Sequence, residues 1–250
     1  MEGILNIYKD PGITSFGVVS EIRKILKVKK VGHAGTLDPM ASGILLVCLG
    51  KATKLVPYLM DLDKEYKALM KLGEETTTED RTGQVIKSTD PKELSSEMIR
   101  KAFEQFQGEI EQRAPLYSAL KHKGQPLYKY ARRGEFPTPP TRKITIYEME
   151  VLELSNPYVQ FRVRCSRGTY VRSLCRDIGH VLHVGGHLAE LERTRCGFFD
   201  ISSSVRLHSL KNDKSLSIVD PSQKLYFTPF LSCVTKLGIQ NGGKIIEKEK

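Results

Sequence analysis

One carboxylate stands in a glycine-rich stretch whose composition suits an active site. Residues 31–43 read VGHAGTLDPMASG, with Asp38 near the centre. Gly32, Gly35 and Gly43 permit positive φ and let another molecule come close, and the proline after Asp38 biases that residue toward an extended backbone. We therefore expect an exposed Asp38 carboxylate that can attack an electrophilic carbon or remove a proton. An ordinary Asp-Pro turn fits the same spacing equally well.

The residues around this acid exclude several kinds of catalysis. Glycoside hydrolysis generally needs two carboxylates, a zinc hydrolase needs about three ligands, and a phosphate-cradling loop needs GxxxxGK[ST], which the sequence lacks. The acidic stretch 74–80 contains no histidine and matches no loop for hard cations, so we interpret it as a solvated loop. A metal-dependent phosphodiesterase that uses Asp38 and His33 remains a minor alternative.

The overall charge favours a polyanionic partner. The 250 residues contain 39 Lys and Arg against 29 Asp and Glu, which gives a net charge of +10. One cationic run, at 23–30, leads directly into the glycine stretch, and a second, at 121–133, is interleaved with tyrosines, as suits contacts to phosphates and bases. A solvated basic face could have the same composition. Five scattered cysteines and the lack of a signal sequence or an apolar span predict a cytoplasmic protein with reduced thiols.

Apolar periodicity predicts the elements that position these residues. A helix from Thr14 or Ser15 to Leu26 precedes the glycine stretch, and the continuous apolar run 44–49 predicts a strand buried on both faces. The remaining predictions that bear on the site are a helix over 53–62, a strand over 65–72, paired strands over 143–154 and 159–165, a helix from the 166–169 cap to Leu182, and a short helix over 188–193. Arg172 lies in the first turn of its helix, where a cation opposes the helix dipole, so we expect it to have a carboxylate or phosphate partner.

Ordered motifs then give a resemblance to a known family. GHAGTLDPMASG at 32–43 resembles the catalytic motif of the TruB family of tRNA pseudouridine-55 synthases. KEY at 64–66, RAPLYSALK at 113–121, SRGTYVRSL at 166–174 and, more loosely, GHLAELER at 186–193 resemble the family's later motifs in the correct order. The resemblance covers roughly residues 3–230, and the ordered combination is far more specific than any single motif.

The resemblance implies a fold and a reaction. The fold is an α+β pseudouridine-synthase fold, a mixed and largely antiparallel sheet flanked by helices with a central RNA-binding cleft. The reaction is isomerisation of uridine 55 in the T loop of tRNA, by cleavage of the N1–C1′ bond, rotation of the base and formation of the C5–C1′ bond. The rival from another functional class is a tRNA-binding chaperone. The resemblance also implies that neither a metal nor an organic cofactor is required. We expect no membrane association and a monomer.

It also implies a role for each matching residue. Asp38 would initiate the cleavage, Arg172 would pair with Asp38, and Tyr66 would stack on the target uracil. His33 would fill the space left by the flipped base, while Tyr170 and Leu191 would shape the pocket. The lysines of the matching motifs, Lys9, Lys64 and Lys121, would contact the RNA.

Two departures from the family pattern concern the ends of the chain. The family's N-terminal K-P-x-G motif reads Lys9-Asp10-Pro11-Gly12 here, so the turn can differ locally. Family members often carry a C-terminal PUA RNA-binding domain. We predict a catalytic domain over 1–230 and a short basic tail over 231–250, with the PUA domain absent or vestigial.

Overall fold

A computed structural model describes residues 1–212 and 227–239. The chain forms two compact units, one made of Met1–Lys64 with Glu192–Lys250 and the other of Glu65–Leu191. We call them unit 1 and unit 2 and describe each by itself. The predicted domain boundary at residue 230 stays a prediction.

Strands predominate in the described residues. They are β1 (Gly3–Lys9), β2 (Val31–Ala34), β3 (Ser42–Leu49), β4 (Lys64–Leu72), β5 (Glu74–Thr76), β6 (Val85–Ser88), β7 (Gly108–Arg113), β8 (Lys121–His122), β9 (Gln125–Pro126), β10 (Thr141–Ser155), β11 (Tyr158–Cys165), β12 (Gly186–Cys196), β13 (Phe199–Asp200), β14 (Val205–Arg206) and β15 (Phe227–Pro229). The helices are α1 (Ser15–Leu26), α2 (Val56–Asp61), α3 (Ser96–Glu104), α4 (Leu127–Arg132), α5 (Val171–Val181), α6 (Leu207–Asn212) and α7 (Phe230–Lys236). Within residues 1–212 and 227–239, none of these helices has the length and apolar character needed to cross a bilayer.

The sheet of unit 1 is organised around β1 and β3. These strands run antiparallel, with Gly3 opposite Leu49 and Lys9 opposite Gly43. The antiparallel strand β2 and the parallel strand β12 both pair with β3, while β14 and β15 pair with β1. The mixture of parallel and antiparallel pairs agrees with the predicted mixed sheet flanked by helices.

The central strand β3 is buried on both faces, as its continuous apolar run predicted. Leu45 and Val47 are 0% exposed and share a core cluster with Ile22 of α1. Leu46 and Leu59 of α2 belong to a second cluster. Part of α7 and the residues after it also pack against this second cluster, and Cys233 is fully buried there. The core of unit 1 therefore draws on residues from both ends of the described chain.

Helix α1 confirms the predicted start and end. The Thr14 side chain accepts a hydrogen bond from the Gly17 amide at 2.9 Å, which satisfies one free donor of the first turn. Lys27 ends the helix in the left-handed region with φ 53°. The helix therefore has a well-defined N-terminus immediately after the Lys9–Gly12 turn.

Unit 2 contains a strand layer in the order β4-β11-β10-β7. The strand predicted over 159–165 is confirmed as β11, where Val159, Phe161 and Val163 form a buried face and are 0% exposed. Phe161 packs edge-on against Phe103 of α3, with ring centroids 5.1 Å apart. On the opposite face, Arg162 pairs with Glu150 at 2.9 Å.

Three predicted helices differ from the structure. The predicted helix over 188–193 is wrong, because these residues belong to β12, and a short apolar run does not distinguish a buried strand from a helix by periodicity. The helix predicted from the 166–169 cap begins only at Val171, since the Ser166 hydroxyl accepts from the Thr145 amide of β10 and the Thr169 hydroxyl donates to the Ser166 carbonyl, so neither side chain caps the helix. The helix predicted over 53–62 is a 3₁₀ helix at 50–55 followed by α2, which has Pro57 in its first turn, where proline is favoured.

Candidate active site

The Asp38 loop, residues 35–41, connects β2 to β3 in unit 1. The Asp38 carbonyl accepts a hydrogen bond from the Ala41 amide at 3.0 Å, so Asp38 begins a β-turn with Pro39 in the second position. The Pro39 carbonyl accepts from the Gly12 amide at 2.8 Å. The Asp38 side chain is half-buried. The two sequence interpretations are therefore compatible, because the Asp-Pro turn holds the backbone on which the acid stands.

Two of the three glycines need their conformational freedom. Gly35 has φ +90° and Gly43 has φ +101°. A Cβ on Gly43 would lie 2.3 Å from the carbonyl oxygen of Arg193, so any side chain would collide with backbone. Gly32 does not use this freedom, since it lies within the ordinary strand β2.

The buried side chain of Arg193 supports the Asp38 loop from β12. It is 2% exposed; Nε donates to the Ile44 carbonyl at 2.8 Å, and Nη2 donates to the Gly35 carbonyl at 3.3 Å. A guanidinium offers several donors in one rigid plane, so it can link β3 to the start of the loop. The sequence indicates Arg193 only as the end of a loosely matching motif, and sequence reasoning missed its support of the loop.

Lys9 lies inside the turn that contacts the loop. The side chain is 1% exposed, and its ammonium donates to the carbonyls of Ile13 at 2.8 Å, Asp10 at 3.1 Å and Pro39 at 3.4 Å. Burial lowers the pKa of Lys9 to about 8, while the negative charge of Asp38 partly opposes this shift. An amine held in this way ties the turn to the loop and is not exposed for the RNA contact that the resemblance implies.

His33 precedes the loop on β2 and is half-buried. Burial and the nearby charge of Arg193 lower the pKa of His33 below its usual value. The lowered pKa favours the neutral imidazole, which suits insertion among nucleobases. Lys64, also of unit 1, is 7% exposed, and its ammonium donates to the carbonyls of Met60 and Leu62.

Arg172 is the main charged residue among the candidate residues of unit 2. It is the second residue of α5 and is 5% exposed. Nη1 donates to the Thr78 carbonyl and Nη2 to the Tyr117 carbonyl, both at 3.0 Å, and Nη1 lies 3.7 Å from Oδ2 of Asp80. The expected carboxylate partner near the helix N-terminus is thus present in Asp80.

Asp80 shows that the acidic stretch is not a solvated loop. It is 5% exposed, and its Oδ1 accepts hydrogen bonds from the Thr78 hydroxyl at 2.7 Å and from the amide and hydroxyl of Thr82 at 2.9 and 2.5 Å. A buried carboxylate needs such donors and a cationic partner to offset its desolvation. The interpretation as a solvated loop is wrong because the partner of this acid lies far along the sequence, at Arg172.

The other predicted residues of unit 2 differ in exposure. Tyr66, on β4, is 9% exposed, and Leu191, near the middle of β12, is half-buried. Tyr170 lies at the N-cap of α5, where its backbone exchanges two hydrogen bonds with the Gln112 side chain, at 2.8 and 3.1 Å. Lys121 is exposed on β8.

The basic segment that follows Lys121 combines cations with aromatic rings. Arg132 lies over the ring of Tyr128 at 5.4 Å, and Arg133 lies over the ring of Tyr130 at 4.8 Å. Both guanidinium groups are exposed. The segment thus presents positive charge and planar surfaces to solvent, as contacts to phosphates and bases require.

The described residues also bear on metal binding. Over 1–212 and 227–239, no cluster of three or more His, Cys, Asp or Glu side chains has the arrangement of a metal site. The five cysteines are buried and free. The reactive group that the Asp38 loop offers is a carboxylate, and cationic side chains lie near it.

Comparisons with family models and with individual proteins indicate the same family. The N-terminal domain of the TruB family of pseudouridylate synthases matches residues 23–171, and the tRNA pseudouridylate synthase B C-terminal domain matches residues 172–225. A protein named tRNA pseudouridine synthase B from Clostridium tetani is 48% identical over 90% of this chain and 78% of its own length. A protein of the same name from Francisella philomiragia is 46% identical over 85% of this chain and 70% of its own.

Comparison with solved structures supports the same assignment. The chain resembles one from a Cbf5-Nop10-Gar1 complex, with a TM-score of 0.74 and 36% identity over 94% of this chain. It also resembles one from an H/ACA RNP bound to a substrate RNA containing 2′-deoxyuridine, with a TM-score of 0.70 and 33% identity. This chain spans 62% and 61% of the length of those two chains. The fold is that of a pseudouridine synthase, and the protein belongs to the TruB family of pseudouridylate synthases.

Proposed function

We propose that this protein isomerises uridine to pseudouridine at position 55, in the T loop of tRNA. Membership of the TruB family and the shared name of its relatives support tRNA as the substrate. The net charge of +10 and the exposed basic segment after Lys121 suit a nucleic-acid partner. The observation that carries the proposal is the Asp38 loop, in which a half-buried acid stands on a backbone held by Lys9 and Arg193.

In the proposed reaction Asp38 initiates cleavage of the N1–C1′ bond. The freed base rotates, C5 bonds to C1′, and the proton at C5 is released. Asp38 acts either by attack on C1′ or by removal of the 2′ proton, and both routes need an ionised carboxylate.

The remaining residues act as the family resemblance assigns them. Arg172 serves as the counter-charge of Asp38, Tyr66 stacks on the target uracil, and Tyr170 and Leu191 shape its pocket. The neutral imidazole of His33 fills the space that the flipped base leaves, because the base must leave its stack before it can react.

The lysines contribute in different ways. Lys121 contacts the RNA backbone from its exposed position. Lys9 and Lys64 support the site through the backbone carbonyls that they bind.

Release of tritium from unmodified tRNA labelled at uridine C5 tests the reaction, and mapping of the product tests its position. We expect release equivalent to one uridine per tRNA, at position 55. No release, or release from another position, contradicts the proposal. Asp38→Asn should abolish release while the Kd for tRNA stays within about threefold, since it removes the reacting group and not the binding surface. A chaperone would keep its function in that variant.

A further inference from the structure

Two consecutive acids in the loop between β5 and β6 bind two arginines of α5. Asp80 pairs with Arg172, and Glu79 pairs with Arg176. Residues four apart on a helix lie on the same face, so Arg172 and Arg176 both face this loop. The Asp80 contact was described with the candidate site, whereas the Glu79 contact has no part in the proposed chemistry.

Glu79 is held in a conformation that non-glycine residues rarely adopt. Its φ is +62°, and a left-handed conformation persists in such a residue only when its surroundings impose it. One carboxylate oxygen accepts from the Ser173 hydroxyl at 2.7 Å, and the other pairs with Nη1 of Arg176. Its backbone carbonyl accepts from the Leu188 amide at 3.0 Å. Contacts to α5 and β12 therefore fix both the side chain and the backbone of Glu79.

Arg176 uses each of its guanidinium nitrogens. Nη1 contacts Glu79, Nε donates to Asp177 at 2.8 Å, and Nη2 donates to the Arg113 carbonyl at 3.1 Å. The side chain is 8% exposed. Burial disfavours the charged form, but Glu79 and Asp177 raise the pKa of Arg176 above its usual value. The group therefore remains a cation that anchors the loop to α5.

Both residues that flank Glu79 contact Arg172. The Thr78 carbonyl accepts from Nη1 of Arg172 at 3.0 Å, and the Asp80 carboxylate lies 3.7 Å from the same nitrogen. A displacement of Glu79 would move both partners, since all three residues are consecutive. A positioning error of about 1 Å can cost about 100-fold in rate when a reacting group must be aligned.

We propose that Glu79 and Arg176, with Ser173, form a positioning pair that fixes Thr78 and Asp80, two of the partners of Arg172, and thereby orients its guanidinium. Neither residue touches the substrate in this role. The inference rests on the proposed function, because it concerns the orientation of the counter-charge of Asp38.

The positioning pair is tested by three substitutions, Glu79→Gln, Arg176→Lys and Ser173→Ala. Glu79→Gln removes the charge that binds Arg176, and we expect kcat to fall about 10-fold to 30-fold with KM changed by less than about threefold, since only alignment is impaired. Arg176→Lys keeps the charge but loses the planar fork, so its kcat should fall as well. Ser173→Ala removes a single hydrogen bond, and its kcat should fall about threefold. Glu97→Gln, which disrupts the exposed pair with Lys101, is the matched control and should behave as wild type.

A double-mutant cycle separates positioning from a merely structural role. Arg172→Lys removes the planar group that Glu79 is proposed to align, so Glu79→Gln in that background should lower kcat by less than about twofold further. Equal fold-changes in both backgrounds would overturn the proposal, as would a change in Tm without a change in kcat. If Glu79→Gln does not fold, Ser173→Ala carries the same cycle.

Failure of the positioning pair is distinguishable from failure of the proposed function. If Asp38→Asn and Arg172→Lys both retain wild-type tritium release, the proposed function of these residues fails. If both lose activity and the variants of Glu79, Arg176 and Ser173 keep wild-type kcat, only the positioning pair fails.

Discussion

The Ser15 hydroxyl makes two hydrogen bonds to the backbone of Leu37, accepting from its amide at 2.9 Å and donating to its carbonyl at 3.1 Å. Ser15 is the first residue of α1, and Leu37 immediately precedes Asp38. The oxygen is buried, so neither bond competes with water. The helix that follows the Lys9–Gly12 turn is thereby joined to the backbone of the proposed reacting acid.

Ser15→Ala should lower both stability and turnover. Removal of the hydroxyl leaves two backbone groups of Leu37 without their partner, and we expect about 1–3 kcal/mol of destabilisation. We also expect kcat to fall about fivefold to 20-fold, because the Asp38 loop is no longer attached to α1 through this side chain. Thermal unfolding and single-turnover tritium release measure the two effects.

Thr14→Ala is the matched control for Ser15→Ala. The Thr14 hydroxyl caps the same helix by accepting from the Gly17 amide, whereas the Ser15 hydroxyl binds the backbone of Leu37. Removal of the Thr14 cap should cost about 1 kcal/mol while kcat stays at the wild-type value. Equal kcat values in the two variants would contradict the role given to Ser15.

Asp80→Asn should lower kcat more than it weakens binding of tRNA. It keeps an oxygen that can accept from Thr78 and Thr82 but removes the charge beside Arg172. We expect a decrease in kcat of at least about 10-fold, because the guanidinium loses the anionic partner that Asp80 provides in a buried setting. Asp90→Asn is the control, since Asp90 forms a fully exposed pair with Lys92. Similar kcat values for the two variants would refute the prediction.

Lys9 should make the free energy of unfolding depend on pH. Because the pKa of Lys9 is about 8 in the folded protein and 10.5 in its reference state, the unfolded chain binds more protons between these values. The contribution of this group to stability therefore rises with pH in that window and is nearly constant below about pH 7. The stability difference between wild type and Lys9→Met should grow by up to about 2 kcal/mol between about pH 7.5 and about pH 9.5. Denaturant titrations at the two pH values measure it, and a difference independent of pH would disprove the assignment.

The turn between α1 and β2 should contribute phosphate contacts. Lys27, Lys29 and Lys30 are exposed, and in residues 1–212 and 227–239 none of the three forms an ion pair. Replacement of all three by Gln should make the plot of log K against log[salt] less steep, by about 0.7–0.9 for each phosphate that the protein no longer neutralises.

The control for the turn replaces three exposed lysines that are paired with acids. These are Lys92, Lys101 and Lys143. Their replacement by Gln changes the net charge equally, so equal salt slopes for the two triple variants would show that the turn has no specific role. Filter binding to unmodified tRNA over a range of salt concentrations provides the slopes.

Local patterns in the sequence are enough to predict several features. The run at 44–49 predicts the buried strand β3, and the composition around Asp38 predicts a loop that presents an acid. The dipole of α5 predicts a carboxylate or phosphate partner for Arg172, and Asp80 provides a carboxylate. Each of these features depends on residues close in sequence or on one helix terminus.

Features that depend on distant residues cannot be predicted in the same way. Thr78 lies 94 residues before Arg172, so nothing in the acidic stretch itself shows that its charges are buried. Lys9 resembles an RNA contact, yet its amine lies among backbone carbonyls that only the folded turn brings together. The pattern at 188–193 predicts a helix because its pairing with β3 is not visible in its own sequence. Arg172 and Arg176 lie four residues apart on α5. This spacing is the sequence signal that could have indicated two acidic partners on one face of the helix.

The division of unit 1 between the two ends of the chain has a consequence for synthesis. Unit 2 is continuous from Glu65 to Leu191, whereas β1 and β3 of unit 1 need β12, β14, β15 and α7 to complete their packing. We therefore expect unit 2 to become protease-resistant on the ribosome while the Asp38 loop is still unprotected. Limited proteolysis of nascent chains arrested at increasing lengths measures this order, and the candidate catalytic loop should gain protection only after β15 and α7 have left the exit tunnel.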